Sequence, residues 1–292
     1  MASPRDLRRR IRSVKNTSQI TKAMQMVAAS KMRKAQQGAL SSRPYATLMN
    51  AVLAEVTANI GDFKHPLLEK HNTGRRAVIL VSTDRGLCGA LNSNLMREVA
   101  KLDKATTVFI CAGRKGAQFI ARTKRELAAE FSYKDTPQFS EARAITKFAQ
   151  DLFTKGEVDR VDVLFTRFVS TLNQKMELRP LLPVGELQAV EAGMDGDRKG
   201  ATLERTGVEY QFEPSAGEVL GTLLPHYVNY LVFQMLLEAR ASEHSARMVA
   251  MKNATDNAAQ LIKDLTIEYN KMRQASITNE LLEIASAQMA TA

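Results

Sequence analysis

The 292-residue chain has only two cysteines, Cys88 and Cys111, and no stretch with the composition of a membrane span. Two cysteines are too few for a disulfide framework or a cysteine-based metal cluster, and they fit a reducing compartment such as the cytoplasm. No window reaches the roughly 18 uninterrupted apolar residues of a transmembrane helix, so we expect any membrane association to be peripheral. No apolar segment follows the basic N-terminal residues, and we therefore expect no secretory signal.

Glycine and proline are absent from the last 67 residues, His226 to Ala292. A helix of that length would extend about 100 Å, which no compact domain buries. One stripe in this segment recurs in alternating steps of three and four residues, the heptad pattern that keeps one seam of a helix against a partner helix. The stripe consists of Met248, Met251, Thr255, Ala258, Ile262, Leu265, Tyr269, Met272 and Ser276.

The composition of this stripe is unusual for a stable coiled coil. A two-stranded zipper fills its seam with Leu, Ile and Val, whereas this seam contains Thr255, Ala258 and Ser276. Small side chains allow a close approach of helices but bury little apolar area. The pattern fits an ordinary coiled-coil arm, and it also fits a shaft whose outer surface serves partners; the residues alone leave both open.

The positive charge of the chain is concentrated at its N-terminus. Residues 1–37 hold ten Lys or Arg and a single acid, Asp6, which gives +9, while the whole chain carries +10. Such a helix predicts an acidic partner, which could be nucleic acid, anionic lipid or an acidic protein loop.

Ser3-Pro4 predicts the start of an N-terminal helix over residues 5–37, with Gly38 at its end. Pro44 predicts the start of a second helix, about 45–60. Because lone helices are marginal, we expect the two long terminal helices to pack on each other, in antiparallel orientation if the central region returns the chain near its exit point. The apolar positions expected near one face of the N-terminal helix are Leu7, Ile11, Val14, Ile20, Met24 and Val27.

The central region alternates apolar runs of strand length with helical segments. This order predicts a parallel-rich sheet with covered faces. The predicted strands are 77–82, 107–111, 127–131, 161–168, 173–182 and 210–212, the predicted helices are 90–101, 114–123 and 140–154, and 186–206 is a predicted loop.

Two glycine-containing turns follow predicted strands, where α/β folds often bind phosphates. The turn from Thr83 to Asn92 has Gly-x-x-Gly spacing, without the third glycine of a dinucleotide motif or the Gly-Lys-Ser/Thr of a P-loop. We interpret it as a tight structural turn, with Asp84 as a local cap and Cys88 buried. Gly113 to Gly116 is interpreted as a solvated turn. The four histidines show no metal-ligand spacing. The heptad stripe extends backwards through His244, and we expect this residue to be packed or partly exposed rather than a ligand.

Long blocks of the chain resemble the gamma-subunit family of F-type ATP synthases. Lys15 to Lys34 is similar to the N-terminal helix of that family, and Thr83 to Asn94 contains its Asp-Arg-Gly-Leu-Cys-Gly turn. Ala246 to Ala258 and Tyr269 to Leu281 are similar to its C-terminal helix. The blocks occur in the family's order and span essentially the whole chain. One departure is Ala287-Gln288, which stands where the family has a Gly-Ala pair.

The resemblance implies an α/β fold with a long antiparallel coiled coil of the N- and C-terminal helices and a central Rossmann-like domain. The implied segments are 1–60, 75–215 and 216–292. The implied function is that of a rotor shaft, which turns inside a hexamer of alternating alpha and beta subunits. It couples proton flow through the membrane ring to ATP synthesis or hydrolysis at the beta-subunit sites. The chain itself is expected to be non-catalytic, with no cofactor and no metal.

The resemblance also implies partners residue by residue. The alpha and beta subunits would be contacted by Arg8, Arg9, Lys22, Met24, Arg273, Gln274 and Thr278. Tyr210, Phe212 and Glu213 match the segment that meets the membrane c-ring and the epsilon subunit. The +9 helix would face acidic loops of the beta subunits. The complex would lie at the cytoplasmic face of the bacterial inner membrane, with this chain peripheral.

Two other classes of function stay open on the residues alone. A basic coiled-coil protein that binds nucleic acid predicts a steep salt dependence of its affinity. Against it, residues 1–37 contain no aromatic side chain to stack on bases, and the chain has no zinc-finger or RRM signature, so we expect no nucleic-acid partner. A dinucleotide-dependent enzyme predicts saturable binding of nucleotide to the isolated chain.

Overall fold

The computed structural model describes residues 3–59, 65–69, 71–184, 213 and 215–291. The predicted loop 186–206 and the predicted strand 210–212 lie outside these residues. The chain divides into two compact units, one formed by residues 1–29 with 247–292 and the other by residues 30–246. We call them the helix pair and the α/β unit.

The α/β unit is built on a five-stranded sheet of order β3-β2-β1-β4-β5. Strands β1 to β4 are parallel, and β5 pairs antiparallel with β4 at one edge. The strands are β1 (Arg76–Val81), β2 (Thr107–Ala112), β3 (Glu126–Phe131), β4 (Arg160–Phe168) and β5 (Gln174–Leu182). The predicted strands within the described residues are therefore confirmed, with bounds that differ by one residue.

The burial of each strand explains the sequence pattern by which the strand was predicted. The central strand β1 is buried from Ala77 to Val81 and β2 along its whole length, because helices cover both faces of the sheet. The edge strand β3 alternates between exposed and half-buried positions, as a strand with one covered face does. Continuous apolar runs and strict alternation are the two patterns that predict such strands.

Two helices cover one face of the sheet and the others cover the opposite face. Helices α2 (Leu91–Lys101) and α3 (Arg114–Arg122) pack on Val78, Leu80 and Phe109. Helix α4 (Phe139–Thr154) and the start of the last helix pack on Ile79, Val81 and Phe165. The last helix, α5 (Ala216–Thr291), includes Pro225 and continues into the helix pair.

The first helix, α1, runs without interruption from Pro4 to Asn59. The predicted end at Gly38 and the predicted start at Pro44 are therefore wrong. A glycine and a proline inside a helix cost about 1 and 3 kcal/mol relative to alanine, and tertiary contacts outweigh this here. Met49 is buried in the sheet-facing core, and the Tyr45 hydroxyl lies 2.7 Å from Nε2 of His226 on α5.

Candidate functional site

The stripe predicted on the last helix is the packed face of that helix. From Met251 to Ser276, all eight stripe positions are buried or half-buried, and of the other positions only Ala254 is not exposed. The deepest are Met251, Ala258 and Leu265, each less than 10% exposed. The heptad prediction is therefore confirmed position by position in this segment.

The partner face on α1 differs from the predicted one. Leu7, Ile11, Val14, Ser18, Thr21, Gln25 and Ala28 are buried or half-buried at alternating steps of four and three. Ile20 and Val27, which the apolar pattern placed on this face, are 60% and 55% exposed. The prediction was wrong at these two positions because it followed apolar residues, whereas the centre of the true seam is polar.

Two contacts give the direction and register of the helix pair. The hydroxyls of Thr21 and Thr255 are hydrogen-bonded at 2.7 Å, and Arg8 donates to the Tyr269 hydroxyl at 2.9 Å. Moving along α1 from residue 8 to residue 21 moves backwards along α5 from 269 to 255, so the helices are antiparallel. Small hydroxyl side chains at the centre let the backbones approach closely while satisfying each other's hydrogen bonds.

Large apolar side chains lie on the outer faces of the helix pair. On α1, Ile20, Met26 and Val27 are more than half exposed, and on α5 Ile267 is 69% exposed. Near the end of α5, Leu281, Leu282 and Ile284 are each about 60% exposed. Leu281 and Leu282 are neighbours along α5, and exposed apolar side chains that gather in this way are typical of protein interaction sites. The helix pair is thus packed along one seam and has apolar surface left over on its other faces.

The predicted hexamer-contacting residues of α1 have different surroundings. Arg8 is held against Tyr269, with its guanidinium 5.6 Å from the ring centroid, and Arg9 pairs with Asp6 at 3.0 Å. Lys22 is exposed, and Met24 is half-buried. Hydrogen bonds from Ser3, which caps the helix, are the main cause that lowers the pKa of Asp6 in the first turn. The basic face of α1 therefore stays outward while Arg8 also closes the seam.

On α5, Arg273, Gln274 and Thr278 are all exposed. The Thr278 hydroxyl donates to the Gln274 carbonyl at 2.9 Å, so this side chain lies along its own helix. Glu213 is exposed, whereas Tyr210 and Phe212 lie outside the described residues. The structure brings Arg8 and Tyr269 together, and among the predicted interaction residues that it describes it records this bond between Thr278 and Gln274.

The Gly-x-x-Gly turn after β1 satisfies its own polar groups. Asn92 donates to the Thr83 hydroxyl at 2.8 Å and to the Cys88 sulfur at 3.3 Å, and Thr83 donates to the Arg85 carbonyl. Cys88 is buried as predicted. Asp84 was wrongly assigned as a local cap, since it accepts from the backbone N–H of Arg114 at the start of α3. Asn92 therefore ties the turn to its own helix, while Asp84 ties it to the start of α3.

The second glycine turn is a close packing point, so its interpretation as a solvated turn is wrong. Gly113 has a φ of 112°, and a Cβ there would lie 2.3 Å from the Ser82 carbonyl oxygen. The Ser82 hydroxyl donates to the Gly113 carbonyl at 3.1 Å and accepts from the Gly116 N–H at 2.8 Å. Only glycine allows this approach of the α3 backbone to the end of β1.

The place where a sheet of this topology usually binds ligands is occupied by α5. Helices α2 and α3 lie on one face and α4 on the other, so the strand order reverses between β1 and β4, and the crevice for a ligand is expected beyond their carboxyl ends. There, the Ser242 hydroxyl donates to the Thr166 carbonyl at 3.0 Å, and Arg240 lies 3.2 Å from Asp84. The protein itself fills the crevice that a dinucleotide would use.

The remaining reactive groups are arranged for structure. Burial raises the pKa of Cys111 to about 12, so this thiol stays protonated at neutral pH. His244 is 1% exposed on α5, as expected for a packed histidine. Across the described residues, no group of His, Cys, Asp and Glu side chains is arranged to hold a metal ion. Nor is any helix of those residues long and apolar enough to span a bilayer.

Comparison with known proteins agrees across sequence and structure. A family model described as ATP synthase matches residues 3–291. The ATP synthase gamma chain of Opitutus terrae is 50% identical over the full length of both chains, and that of Methylacidiphilum infernorum is 43% identical over 99% of each. The Tetrahymena thermophila mitochondrial ATP synthase central stalk matches with a TM-score of 0.59 at 25% identity, covering 80% of this chain and 99% of that one. A chain of the Euglena gracilis mitochondrial ATP synthase has the same fold, with a TM-score of 0.69 at 20% identity, covering 99% of this chain and 94% of that one.

Proposed function

Since the chain belongs to the family of ATP synthase gamma chains, we propose that it forms the central stalk of a rotary ATP synthase. It turns inside the hexamer of alpha and beta subunits and couples proton flow through the membrane c-ring to ATP synthesis or hydrolysis. The chemistry takes place on the beta subunits, and this chain is a non-catalytic component of the complex.

The observation that carries this proposal is that the two helices use one face to pack on each other and expose apolar side chains on other faces. Each helix uses one heptad stripe for its partner helix and leaves large apolar residues such as Ile20 and Ile267 on other faces. A free coiled-coil arm would keep those faces polar. Burial of exposed apolar surface against a partner is favourable, so the pattern fits a shaft enclosed by a sleeve of surrounding subunits.

The charged and polar residues on this surface have proposed contacts in the hexamer. Arg9 and Lys22 project from the basic α1 and face acidic loops of the beta subunits. Met24 lies near Lys22 where the shaft meets the base of the hexamer. Farther along the shaft, Arg273, Gln274 and Thr278 contact a beta-subunit loop. Arg8 contributes to both the seam and the hexamer contact, since it is bound to Tyr269 and still exposed.

Residues 75–215 of the α/β unit are the part that we assign to the membrane side of the complex. We propose that Tyr210, Phe212 and Glu213 contact the c-ring and the epsilon subunit, and the exposure of Glu213 is compatible with that role. Functionally, residues 1–60 and 216–292 form the shaft, and residues 75–215 form the outer domain. The complex is placed at the cytoplasmic face of a bacterial inner membrane, with this chain peripheral.

The mechanism follows from a mismatch of symmetry. The shaft is a pair of helices, and the ring around it consists of three pairs of alpha and beta subunits. An antiparallel helix pair has no three-fold axis, so each beta subunit contacts a different face of the shaft. The shaft therefore has a different interaction free energy with each beta conformation, which is the condition for biasing a conformational equilibrium. Rotation changes which site is open and which is tight, and hydrolysis reverses the rotation.

Reconstitution tests the proposal. The full chain is mixed with alpha and beta subunits from the same source, and complex size and ATPase turnover are followed with and without it. We expect one copy per hexamer and a rise in turnover. A chain that stays apart from the hexamer, and that instead binds DNA or RNA with a steep salt dependence, would overturn the proposal in favour of nucleic-acid binding.

A further inference from the structure

Arg240 is a fully buried arginine on α5, and none of the functional residues discussed above explains it. Its side chain is 2% exposed, and its guanidinium lies 3.8 Å from the centroid of the Tyr133 ring. It donates to Glu243 at 2.6 Å, to Asp84 at 3.2 Å and to the Lys134 carbonyl at 3.1 Å. It also donates to the Tyr133 carbonyl. We call these five residues the Arg240 joint.

The Arg240 joint connects elements that are far apart in the chain. Asp84 lies in the turn after β1, Tyr133 and Lys134 follow β3, and Arg240 and Glu243 belong to α5. The joint therefore lies at the carboxyl edge of the sheet, where the ligand crevice of this topology is occupied by α5.

Two further contacts extend the joint into neighbouring elements. Asp84 also accepts from the first N–H of α3, and the Tyr133 hydroxyl donates to the Ser82 carbonyl at 3.2 Å. Next to Lys134, Asp135 pairs with Lys31 of α1, so the segment after β3 is held by both long helices. The hydrogen bond from Lys31 is the main cause that lowers the pKa of Asp135.

The electrostatics of the joint keep the guanidinium charged. Burial alone would lower the pKa of Arg240, but its interactions with Tyr133, Glu243 and Asp84 more than offset this, and the pKa is raised. The buried cation is thus matched by two carboxylates and two carbonyls, the partners that a planar fork of donors binds in a fixed orientation.

Stability is a poor explanation for such a cluster. Replacing a buried ion pair by apolar side chains of similar volume is often neutral or stabilising, because the charges no longer have to be desolvated. The ion pair instead fixes the orientation of the helix. Apolar contacts tolerate a helix that slides or rotates, whereas several hydrogen bonds to one planar guanidinium do not. Ordinary packing residues already fill the remainder of the α5 face that covers the sheet.

We propose that Arg240 is a positioning residue that locks the rotation and register of α5 against the carboxyl edge of the sheet, so that torque passes between the α/β unit and the shaft without slippage. The part of this inference that concerns torque rests on the proposed function. The part that concerns the register of α5 belongs to the chain by itself.

The variants are chosen to separate positioning from stability. Arg240→Met leaves the buried Glu243 and the half-buried Asp84 without their cation, whereas Arg240→Met/Glu243→Met removes the buried charge pair. Arg179→Met is the matched control: Arg179 is 3% exposed, donates to Glu177 at 2.7 Å and lies 5.5 Å from the Phe165 ring, but its partners belong to the sheet. Because a buried charge loses its partner, we expect melting temperatures to fall by roughly 5–10 °C for Arg240→Met and to recover in the double variant.

The first readout uses the free chain. Spin labels at Ala121→Cys on α3 and Glu218→Cys on α5, both exposed positions in the α/β unit, report the distribution of distances between the sheet layer and the helix. We expect a single narrow distribution for the wild type and for Arg179→Met. A broader or shifted distribution is expected for both Arg240 variants. A narrow, unshifted distribution in the thermally recovered double variant would overturn the assignment.

The second readout uses the assembled complex with the hexamer immobilised and a bead on Ala121→Cys. In the absence of ATP, the variance of the bead angle is inversely proportional to torsional stiffness. We expect this variance to rise about twofold in both Arg240 variants, since the hydrogen bonds of one planar fork are lost, and to be unchanged in Arg179→Met. Proton pumping per ATP hydrolysed should fall in the same variants.

The two proposals fail in different ways. A wild-type chain that enters no hexamer and is not turned by ATP contradicts the proposed function, while the distance distributions of the free chain still decide whether Arg240 positions α5. If the wild type rotates and the Arg240 double variant is as stiff and as tightly coupled, the proposed function stands and the inference about torque is wrong.

Discussion

The helix pair and the α/β unit differ in the size of the side chains that they bury. The α/β unit buries large apolar side chains completely, among them Phe109, Phe153 and Phe165. The seam of the helix pair buries Leu7, Met251 and Leu265, but its centre consists of small residues such as Thr21 and Ala258. A close-packed core stands alone, whereas a thin seam with apolar outer faces acquires part of its stability from a partner. We therefore expect the two regions to respond differently to equivalent substitutions.

The largest effect is expected in the core of the α/β unit. Phe153→Ala removes a fully buried ring that packs on His71 at a centroid distance of 4.9 Å, and we expect a loss of about 3–5 kcal/mol in the free energy of unfolding. Urea denaturation of the free chain measures this. Leu172→Ala is the control, since Leu172 is 82% exposed, and its effect should stay within about 0.5 kcal/mol. A loss at Phe153 as small as that of the control would break the contrast between the two regions.

Two neighbouring residues of α5 separate the packed face of the helix from its outer face. Leu265 is 5% exposed in the seam, and Ile267, two residues later, is 69% exposed. Leu265→Ala should destabilise the helix pair by about 2 kcal/mol, near the lower end for core leucines because a seam between two helices encloses a side chain on fewer sides than a core does. Ile267→Ala should leave thermal melting of the free chain unchanged and weaken its association with the hexamer.

The opposite outcome for this pair would be decisive. If Ile267→Ala lowers the melting temperature of the free chain while its affinity for alpha and beta subunits is unchanged, the outer face has a role within the chain and the sleeve is not needed. Titration of each variant into the hexamer, with ATPase turnover as the signal, gives the affinities.

A smaller effect is expected at the polar centre of the seam. The hydrogen bond between Thr21 and Thr255 should contribute about 1 kcal/mol, a typical net value for a neutral pair. Thr21→Val and Thr255→Val each remove it, and a double-mutant cycle on the free chain measures the coupling. Losses that simply add would show that the two hydroxyls do not interact and that the register rests on the apolar positions alone.

The smallest effect concerns a loop carboxylate in the α/β unit. Asp159 accepts hydrogen bonds from the backbone N–H groups of Thr73 and Gly74 and from the Thr73 hydroxyl. The backbone bond from Thr73 is the main cause that lowers its pKa. Because the folded pKa is below the unfolded value of about 3.9, the stabilisation is complete above that value and is lost as the pH falls through the folded pKa.

Thermal melting between about pH 2.5 and 7 checks the direction of this pH dependence. The range brackets the unfolded pKa of about 3.9. Asp159→Asn should be less stable than wild type at neutral pH, and the difference should narrow as the solution becomes acidic. Asp256→Asn, at an exposed position of α5, is the control. A difference at Asp159 that is constant across the whole range would contradict the role of the carboxylate charge.

The parts that could be predicted from sequence are those in which one physical signal dominates. Buried strands such as β1 are continuous apolar runs, and the stripe of α5 keeps its heptad spacing even through Ala258 and Thr255. Both patterns follow from burial on a regular backbone, so they can be recognised in the sequence before the fold is known.

The errors occurred where tertiary contacts reverse a local rule. Gly38 and Pro44 lie inside α1 because later residues of that helix, including Met49, pack in the core. Ile20 was placed in the seam by its apolarity, although the seam position beside it belongs to Thr21. The heptad spacing from Leu7 through Val14 to Thr21 was the signal that could have identified the true stripe.

Arg240 was missed for a related reason. It follows the apolar segment Leu236-Leu237 on α5, where a charged residue is expected only if it is paired. Glu243 three residues later was a visible partner, but Asp84 and the carbonyls after β3 come together with it only in three dimensions. A polar cluster assembled from three distant segments has no periodic signature.

A hexamer that encloses the helix pair must bury the outer apolar faces of both helices, and thiol footprinting detects this burial. Ile20→Cys and Ile267→Cys are introduced singly, with Leu172→Cys as the control; the native Cys88 and Cys111 are buried. Labelling rates are compared for the free chain and for the assembled complex. We predict that both helix-pair thiols react readily in the free chain and become protected on assembly, while position 172 stays reactive. Unchanged labelling at positions 20 and 267 in a complex of confirmed composition would show that the hexamer does not enclose these faces.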